Sequence, residues 1–133
     1  MAINVEQENV VLRLWLLLRR VGDRLDACQD SVYSKYGLTT EHFAVLAAIR
    51  ARGPLRPSDL ARLLERTPNS ISMLIDRMVK AGLLRRTRDR KDRRVVSVSF
   101  TEKGKTAVEP AIPAGWELYI RSCHRYQTMS SVI

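Results

Sequence analysis

The stretch RTRDRKDRR, residues 86–94, places six basic and two acidic side chains in nine consecutive positions and runs straight into VVSVSF. Like charges at this density repel one another, and the field they create attracts a polyanion. Guanidinium forks match phosphate oxygens, and a basic extended loop can follow a nucleic-acid backbone or enter the narrower minor groove. Asp89 and Asp92 are expected to fold back onto neighbouring arginines or backbone amides and keep the loop from splaying. The competing reading is a solvated charge run with no ligand.

A second set of side chains stands just upstream, in RTPNSISMLIDRMVKAG. Thr67 followed by Pro68 is a helix start, because proline at the first helical position gives up an amide that had no intrahelical partner. Ile71, Leu74, Ile75 and Met78 make an apolar stripe, and Asn69, Ser70, Ser72, Met73, Asp76, Arg77 and Lys80 occupy the other side. Such a helix, about 14 residues and about 20 Å long, fits the major groove, where every base pair shows its own donor and acceptor pattern. Asparagine suits a bidentate contact with adenine, and serine discriminates weakly. Candidate base contacts are therefore Asn69, Ser70, Ser72 and Met73, with Pro68 fixing the helix start beside them and Arg77 nearer phosphate. Ser58 and Arg62, in the short helix SDLARLLE, are candidate phosphate contacts, since a helix N-terminus favours an anion; Ser58 is also expected to cap that helix. The bland alternative makes Asn69 and Ser70 ordinary first-turn residues.

The remaining elements must hold these two features together. LLRRT and VVSVSF flank the basic loop, and Val96, Val98 and Phe100 alternate with Ser97 and Ser99, which predicts a hairpin with one wet face. A long first helix, from about Glu6 to Lys35, carries Val10, Leu14, Leu17, Val21, Leu25, Cys28 and Val32 at helical spacing. Leu12, Trp15, Leu16 and Leu18 widen its apolar surface, which favours contact with a second chain as well as its own core, the alternative being burial inside a monomer. Cys28 on that stripe is expected to be buried packing. Gly37 closes the helix, and LTTEHFAVLAAIR opens another, capped by Thr39 or Thr40, before RGPLRP ends it with Leu55 in a very short strand. Thr101 is expected to cap a last helical region that Pro110 and Pro113 kink or divide in two.

Composition narrows the classes. The 133 residues fit one domain, and 23 Lys and Arg against 14 Asp and Glu leave a net charge of +9. Two cysteines make no disulfide framework, and neither they nor His42 and His124 have metal-ligand spacing, so neither a metal nor another cofactor is expected. No secretory leader and no spanning apolar run is visible, and a cytoplasmic protein is expected. A glycine-rich phosphate loop, a nucleophile elbow and a catalytic His and carboxylate set are all missing, which argues against an enzyme.

With those residues in place, GPLRPSDLARLLERTPNSISMLIDRMVKAGLLRRTRDRKDRRVVSVSFTEKG, residues 53–104, resembles the winged helix-turn-helix core of the MarR family of transcriptional regulators. The most specific part is DRKDRRVVSVSFTEKG, and LTTEHFAVLAAI resembles the helix before the motif, so the likeness spans roughly residues 10–108. The resemblance implies a mainly α fold with a small β hairpin. A winged core falls on residues 38–100 of a single domain spanning 1–133, with dimerisation helices on 6–36 and 101–128. It also implies a homodimer on a pseudo-palindromic double-stranded DNA operator, most often a repressor, released by a small aromatic effector or by cysteine oxidation.

Matching the wing residue by residue puts Arg88, Arg90, Lys91, Arg93 and Arg94 at or near DNA, with Asp89 and Asp92 as structural partners inside it. The recognition helix falls on 68–81. Trp15, Tyr33, Tyr36, Trp116 and Tyr119 could wall an effector pocket or serve as dimer core. Beyond Thr101 the likeness weakens, because only 32 residues follow and they include two prolines, so a shortened dimerisation lobe is expected. Two other classes remain beside the regulator: a winged-helix adaptor or architectural protein without operator specificity, and a basic amphipathic protein on an acidic membrane. The concentration of arginine in the hairpin weighs against the membrane.

Overall fold

The structure is a computed structural model that describes the backbone of residues 4–130, with side chains described except at 119 and 122–130. Its elements run α1 (Val5–Ser34), α2 (Thr40–Arg52), α3 (Pro57–Leu63), α4 (Pro68–Lys80), β1 (Leu84–Arg88), β2 (Val96–Phe100) and α5 (Glu102–Ser130). It is the mainly α architecture with one small hairpin that the sequence predicts. Among the described residues, no helix is long and apolar enough to cross a membrane.

The core lies where α2, α3, α4, the hairpin and the first half of α5 meet. Val45, Leu46, Ile49, Leu60, Ile71, Ile75, Met78, Leu84, Val98, Val108 and Ala111 are all buried there. The apolar stripe of α4 thus faces inward in full, and the amphipathic period decides which side of that helix is left outward. β1 and β2 pair antiparallel with Arg86 opposite Val98 and Arg88 opposite Val96. Leu55 adds an isolated bridge to Val98. Ser97 and Ser99 are half-buried, so the hairpin face expected to be wet is partly covered.

The junction between the wing and α5 is tightly built. The Thr101 amide donates to the Leu83 carbonyl at 3.1 Å, and its hydroxyl donates to the Gly82 carbonyl and accepts the Gly104 amide at 3.2 Å. Gly82 has φ of 76°, which an L side chain rarely adopts. A Cβ on Gly104 would lie 2.2 Å from the Leu83 carbonyl oxygen, so a glycine is needed where the helix crosses that backbone.

Three expectations are corrected. Ser58 does not cap α3: Pro57 takes the first helical position, Arg56 is the cap residue without a side-chain bond, and Ser58 falls one residue inside. Proline's fixed φ suits the N1 site and moves the start upstream of the serine. Of the two outcomes expected at Pro110 and Pro113, a kink or a division into two helices, the division does not occur, and the last helical region is a single element. The two prolines lack the amides that would otherwise donate to the carbonyls of Thr106 and Glu109. Packing still holds the segment, since Val108, Ala111 and Gly115 are buried and α5 lies against α1 and α2. Gly115 sits so close to Tyr33 that a Cβ there would meet the Tyr33 hydroxyl at 2.7 Å. Finally, Cys28 is exposed rather than packed, because α1 projects beyond the core. Apart from half-buried Gly22, every residue from Val5 to Cys28 is exposed. Cys123 and His124 lie outside the described side chains.

Candidate nucleic-acid interface

The start of α4 is fixed by its own sequence. The Thr67 hydroxyl accepts the Ser70 amide at 3.2 Å and Pro68 occupies the first turn, leaving the positive end of the helix dipole at an exposed surface. Pro68, Asn69, Ser70, Ser72, Met73, Asp76, Arg77 and Lys80 are all exposed, and Met73 keeps 49% of its surface. The last turn is basic through Arg77 and Lys80, and Lys103 of α5 donates from Nζ to the Ala81 carbonyl at 2.7 Å, capping the negative end. Before α4, the chain turns from α3 through Glu65 at φ of 52°. Ser58 and Arg62 are exposed on α3.

The wing is closed by its aspartates. Asp89 Oδ1 accepts the Lys91 amide at 2.7 Å, and Asp92 Oδ1 accepts the Arg94 amide at 3.0 Å. The Asp89 amide donates to the Val95 carbonyl and the Val95 amide to the Asp92 carbonyl, each at 3.0 Å. Both carboxylates therefore bind backbone, and these Asx-turns hold the loop without neutralising its arginines. Arg88 ends β1; Arg90, Lys91, Arg93 and Arg94 follow in the loop, and all five are exposed.

Three arginines are engaged with carboxylates from other parts of the fold. Arg50 is engaged with Glu109 at 3.0 Å, Arg66 with Glu41 at 2.7 Å, and Arg86 with Asp76. The hydrogen-bonded Arg50 guanidinium holds the Glu109 carboxyl below the usual carboxylate range. Arg88, Arg90, Lys91, Arg93 and Arg94 are in no ion pair among the described residues. Five unneutralised cations thus stand close together in sequence at the wing tip.

The aromatic set is not gathered in one place among the described residues. Tyr33 is buried and stacked on Phe43, with ring centroids 4.0 Å apart. Trp15 stands 18 residues earlier on α1, about 27 Å along the axis at 1.5 Å per residue, half-exposed under the Arg19 guanidinium. Trp116 is exposed and Tyr36 half-buried beside a shallow cleft with Glu102, Lys103 and Pro110; the Tyr119 side chain lies outside those described. A different cavity, of about 390 Å³, opens where the end of α1 and the start of α2 meet α4. Asp30, Leu38, His42, Leu74 and Arg77 are among its walls. Asp30 Oδ1 accepts from the Thr40 hydroxyl at 2.6 Å, tying α1 to α2. His42 Nδ1 accepts the Thr39 amide at 3.5 Å. Partial burial pushes the His42 imidazole below its ordinary pKa, with Glu41 opposing and Arg77 adding to the shift.

Sequence reasoning missed this cavity and the Asp76–Arg86 pair. Neither has a periodic signal, since each joins side chains from elements that only folding brings together. The Thr101 and Gly104 spacing was visible, but its reason, a close backbone crossing, was not.

A family model described as MarR family matches residues 36–95, from just after α1 through the basic loop of the wing to the residue before β2. The transcriptional repressor MdtR of Bacillus subtilis is 33% identical over 78 residues, 59% of this chain and 50% of that protein. The chain spans half to about two thirds of the length of the curated relatives it matches, 50% to 66%. A solved MepR-like protein complexed with pseudoligands is 31% identical, with a TM-score of 0.66 over 77% of this chain and 72% of that one. A cysteine-to-serine mutant of Escherichia coli MarR, solved in complex with operator DNA, shares the fold at 22% identity, with a TM-score of 0.74 over 94% of this chain and 96% of that one. Because the family match covers the capped α4 helix and the basic wing together, and the likeness to a solved relative extends over most of both chains, the chain belongs to the MarR family, whose members are DNA-binding transcription regulators and not enzymes.

Proposed function

We propose that this chain is a sequence-specific double-stranded DNA-binding repressor, working as a homodimer on a pseudo-palindromic operator and released by a small ligand. The observation that carries the reading is the pairing of an outward polar face on α4 with five wing cations that no carboxylate neutralises. In this reading Asn69, Ser70, Ser72 and Met73 meet base edges, with Pro68 beside them. Ser58, Arg62 and Arg77 contact backbone, and Arg88, Arg90, Lys91, Arg93 and Arg94 bind phosphates or the minor groove. Asp89 and Asp92 keep the loop in shape. The polymer's charge offsets the repulsion that the loop would otherwise suffer.

Exposed Val10, Leu14, Leu17, Val21 and Leu25 support a homodimer built on α1, with α5 as its second dimerisation helix, around a winged core of residues 38–100. Relatives that are a repressor and a pseudoligand complex support repression and release. The cavity beside Arg77 is the better place for an effector than the scattered aromatic residues, because its occupant would touch α4 itself.

Selection of bound duplexes from a random pool at near-physiological salt, followed by sequencing, tests the reading. Enrichment of an inverted repeat with half-sites about one helical turn apart is the expected result. Retention of duplex without any enriched sequence would favour an architectural or adaptor role instead.

A further inference from the structure

Asp76 is the one carboxylate in α4, and it stands on the exposed side. At helical spacing it shares a line with Asn69, Met73 and Lys80, opposite the buried stripe of Ile71, Leu74, Ile75 and Met78. If α4 enters the major groove, this is the middle of the entering face. A carboxylate there meets the negative potential of both flanking backbones and the acceptor-rich edges of most bases. On charge alone it belongs elsewhere.

What compensates it is Arg86, from the strand that leads into the wing. Its guanidinium donates from one terminal nitrogen to Asp76 Oδ1, across the packing of β1 beside α4. The two side chains remain 41% and 53% exposed, so an approaching polyanion senses the pair. An ion pair this open adds little to folding. Its effect on DNA approach is larger, because losing the arginine removes one positive charge and uncovers one negative charge at the same spot.

We propose that Arg86 is a positioning residue whose task is to neutralise Asp76, so that the face of α4 and the wing can engage phosphates as one surface. This rests on the DNA-binding reading of α4. Arg86 thereby differs from Arg90, Lys91, Arg93 and Arg94, which have no carboxylate to hold and face the polymer directly. It also makes Asp76 a brake on non-specific binding: without the carboxylate, α4 would accept any duplex more readily.

The test uses the full chain and a fluorescently labelled mixed-sequence duplex, titrated at several salt concentrations, with thermal unfolding of each variant run alongside. Arg86→Gln is expected to weaken binding about tenfold, the effect of a local charge change near phosphates. Asp76→Asn in the Arg86→Gln background should restore affinity to within about threefold of the wild type, as expected when the uncovered charge is the cause. Asp76→Asn alone should bind this duplex at least as well as the wild type, and Arg86→Lys should retain binding. Arg50→Gln, which breaks the distant pair with Glu109, should leave binding unchanged.

A double variant as weak as Arg86→Gln would make Arg86 a phosphate contact in its own right and overturn the inference. So would Asp76→Asn losing as much as Arg86→Gln, the result for a purely structural clasp, or loss of binding by Arg86→Lys. Failure of the wild type to bind any duplex would sink this inference together with the DNA reading. Normal binding by the wild type with no effect of Arg86→Gln would sink this inference alone.

Discussion

From Val5 to Cys28 the first helix exposes Val10, Leu14, Trp15, Leu17, Val21 and Leu25; from Asn69 to Arg94 the helix-and-wing surface exposes asparagine, serine and unpaired guanidinium groups. Both regions lie open to water, and each is open in a different currency. An apolar surface left in water is relieved by another apolar surface, at about 25 cal/mol per Å² covered. A cluster of like charges is relieved by a polyanion, with a strength that falls as salt rises. The same chain therefore carries two incomplete surfaces that ask for different partners. Duplex binding should depend on salt and association of α1 should not.

The largest expected effect breaks the apolar side of that contrast. Leu14→Glu together with Leu17→Glu places a charge on the exposed apolar line of α1 in both copies of a dimer. Each buried leucine contributes about 1.5–3 kcal/mol, so the dimer should weaken by at least about a hundredfold. Sedimentation velocity over a concentration series reads this directly. An unchanged dimer would remove α1 from the interface and leave its exposed leucines without an explanation.

A smaller effect tests the joint between the wing and α5. Gly104→Ala puts a methyl group 2.2 Å from the Leu83 carbonyl oxygen, where backbone must move. Overpacking of this kind costs about 1–3 kcal/mol, and urea unfolding should show it as a lowered midpoint with an unchanged slope. A midpoint equal to that of the wild type would mean that the crossing of α5 over Leu83 can relax freely.

These two sites mark how far the sequence could be read. The stripe of Ile71, Leu74, Ile75 and Met78 was legible because a helix of fixed period has to bury one side. Thr67 and Pro68 were legible because capping chemistry is local. Ser58 was misassigned for a neighbouring reason: a serine and a proline both signal a helix start, and the proline one residue earlier takes precedence. Pro110 and Pro113 predicted a kink or a division into two helices, and packing of Val108, Ala111 and Gly115 keeps one helix there, since propensity yields to tertiary contacts. Cys28 was read as core from periodicity, which tells which residues share a face and not what covers it. The Asp76–Arg86 pair and the cavity beside Arg77 depend on where separate elements meet, and no spacing along the chain records that.

The charged side is sharpened by a single wing residue. Arg94→Ala should weaken binding to every duplex alike and lower the slope of log affinity against log salt by up to about one unit. Its amide still donates to Asp92 Oδ1 in the variant, so the Asx-turn survives and the loop keeps its shape. A salt titration superimposable on that of the wild type would take Arg94 out of the phosphate-binding set while leaving Arg90, Lys91 and Arg93 in question.

The smallest effect concerns the place where α1, α2 and α4 meet around His42. Partial burial disfavours its imidazolium, Arg77 of α4 adds to that, and Glu41, itself paired with Arg66, works against it. Asp30 of α1 is held by Thr40 in the same cavity. Because the folded-state pKa lies below the unfolded one, the unfolded chain takes up the proton first as pH falls. The stabilising contribution of neutral His42 is therefore complete above its ordinary pKa near 6.5 and is lost as pH falls through the lower folded value. Protonation also converts Nδ1 from acceptor to donor and breaks its bond with the Thr39 amide. Urea midpoints of the wild type and His42→Gln, compared between about pH 7.5 and about pH 5.5, should converge toward the acid end, with His124 common to both and cancelling. A difference that stays constant across that range would show His42 to titrate as freely in the fold as in the unfolded chain. The link from α1 through this cavity to Arg77 would then carry no protonation signal.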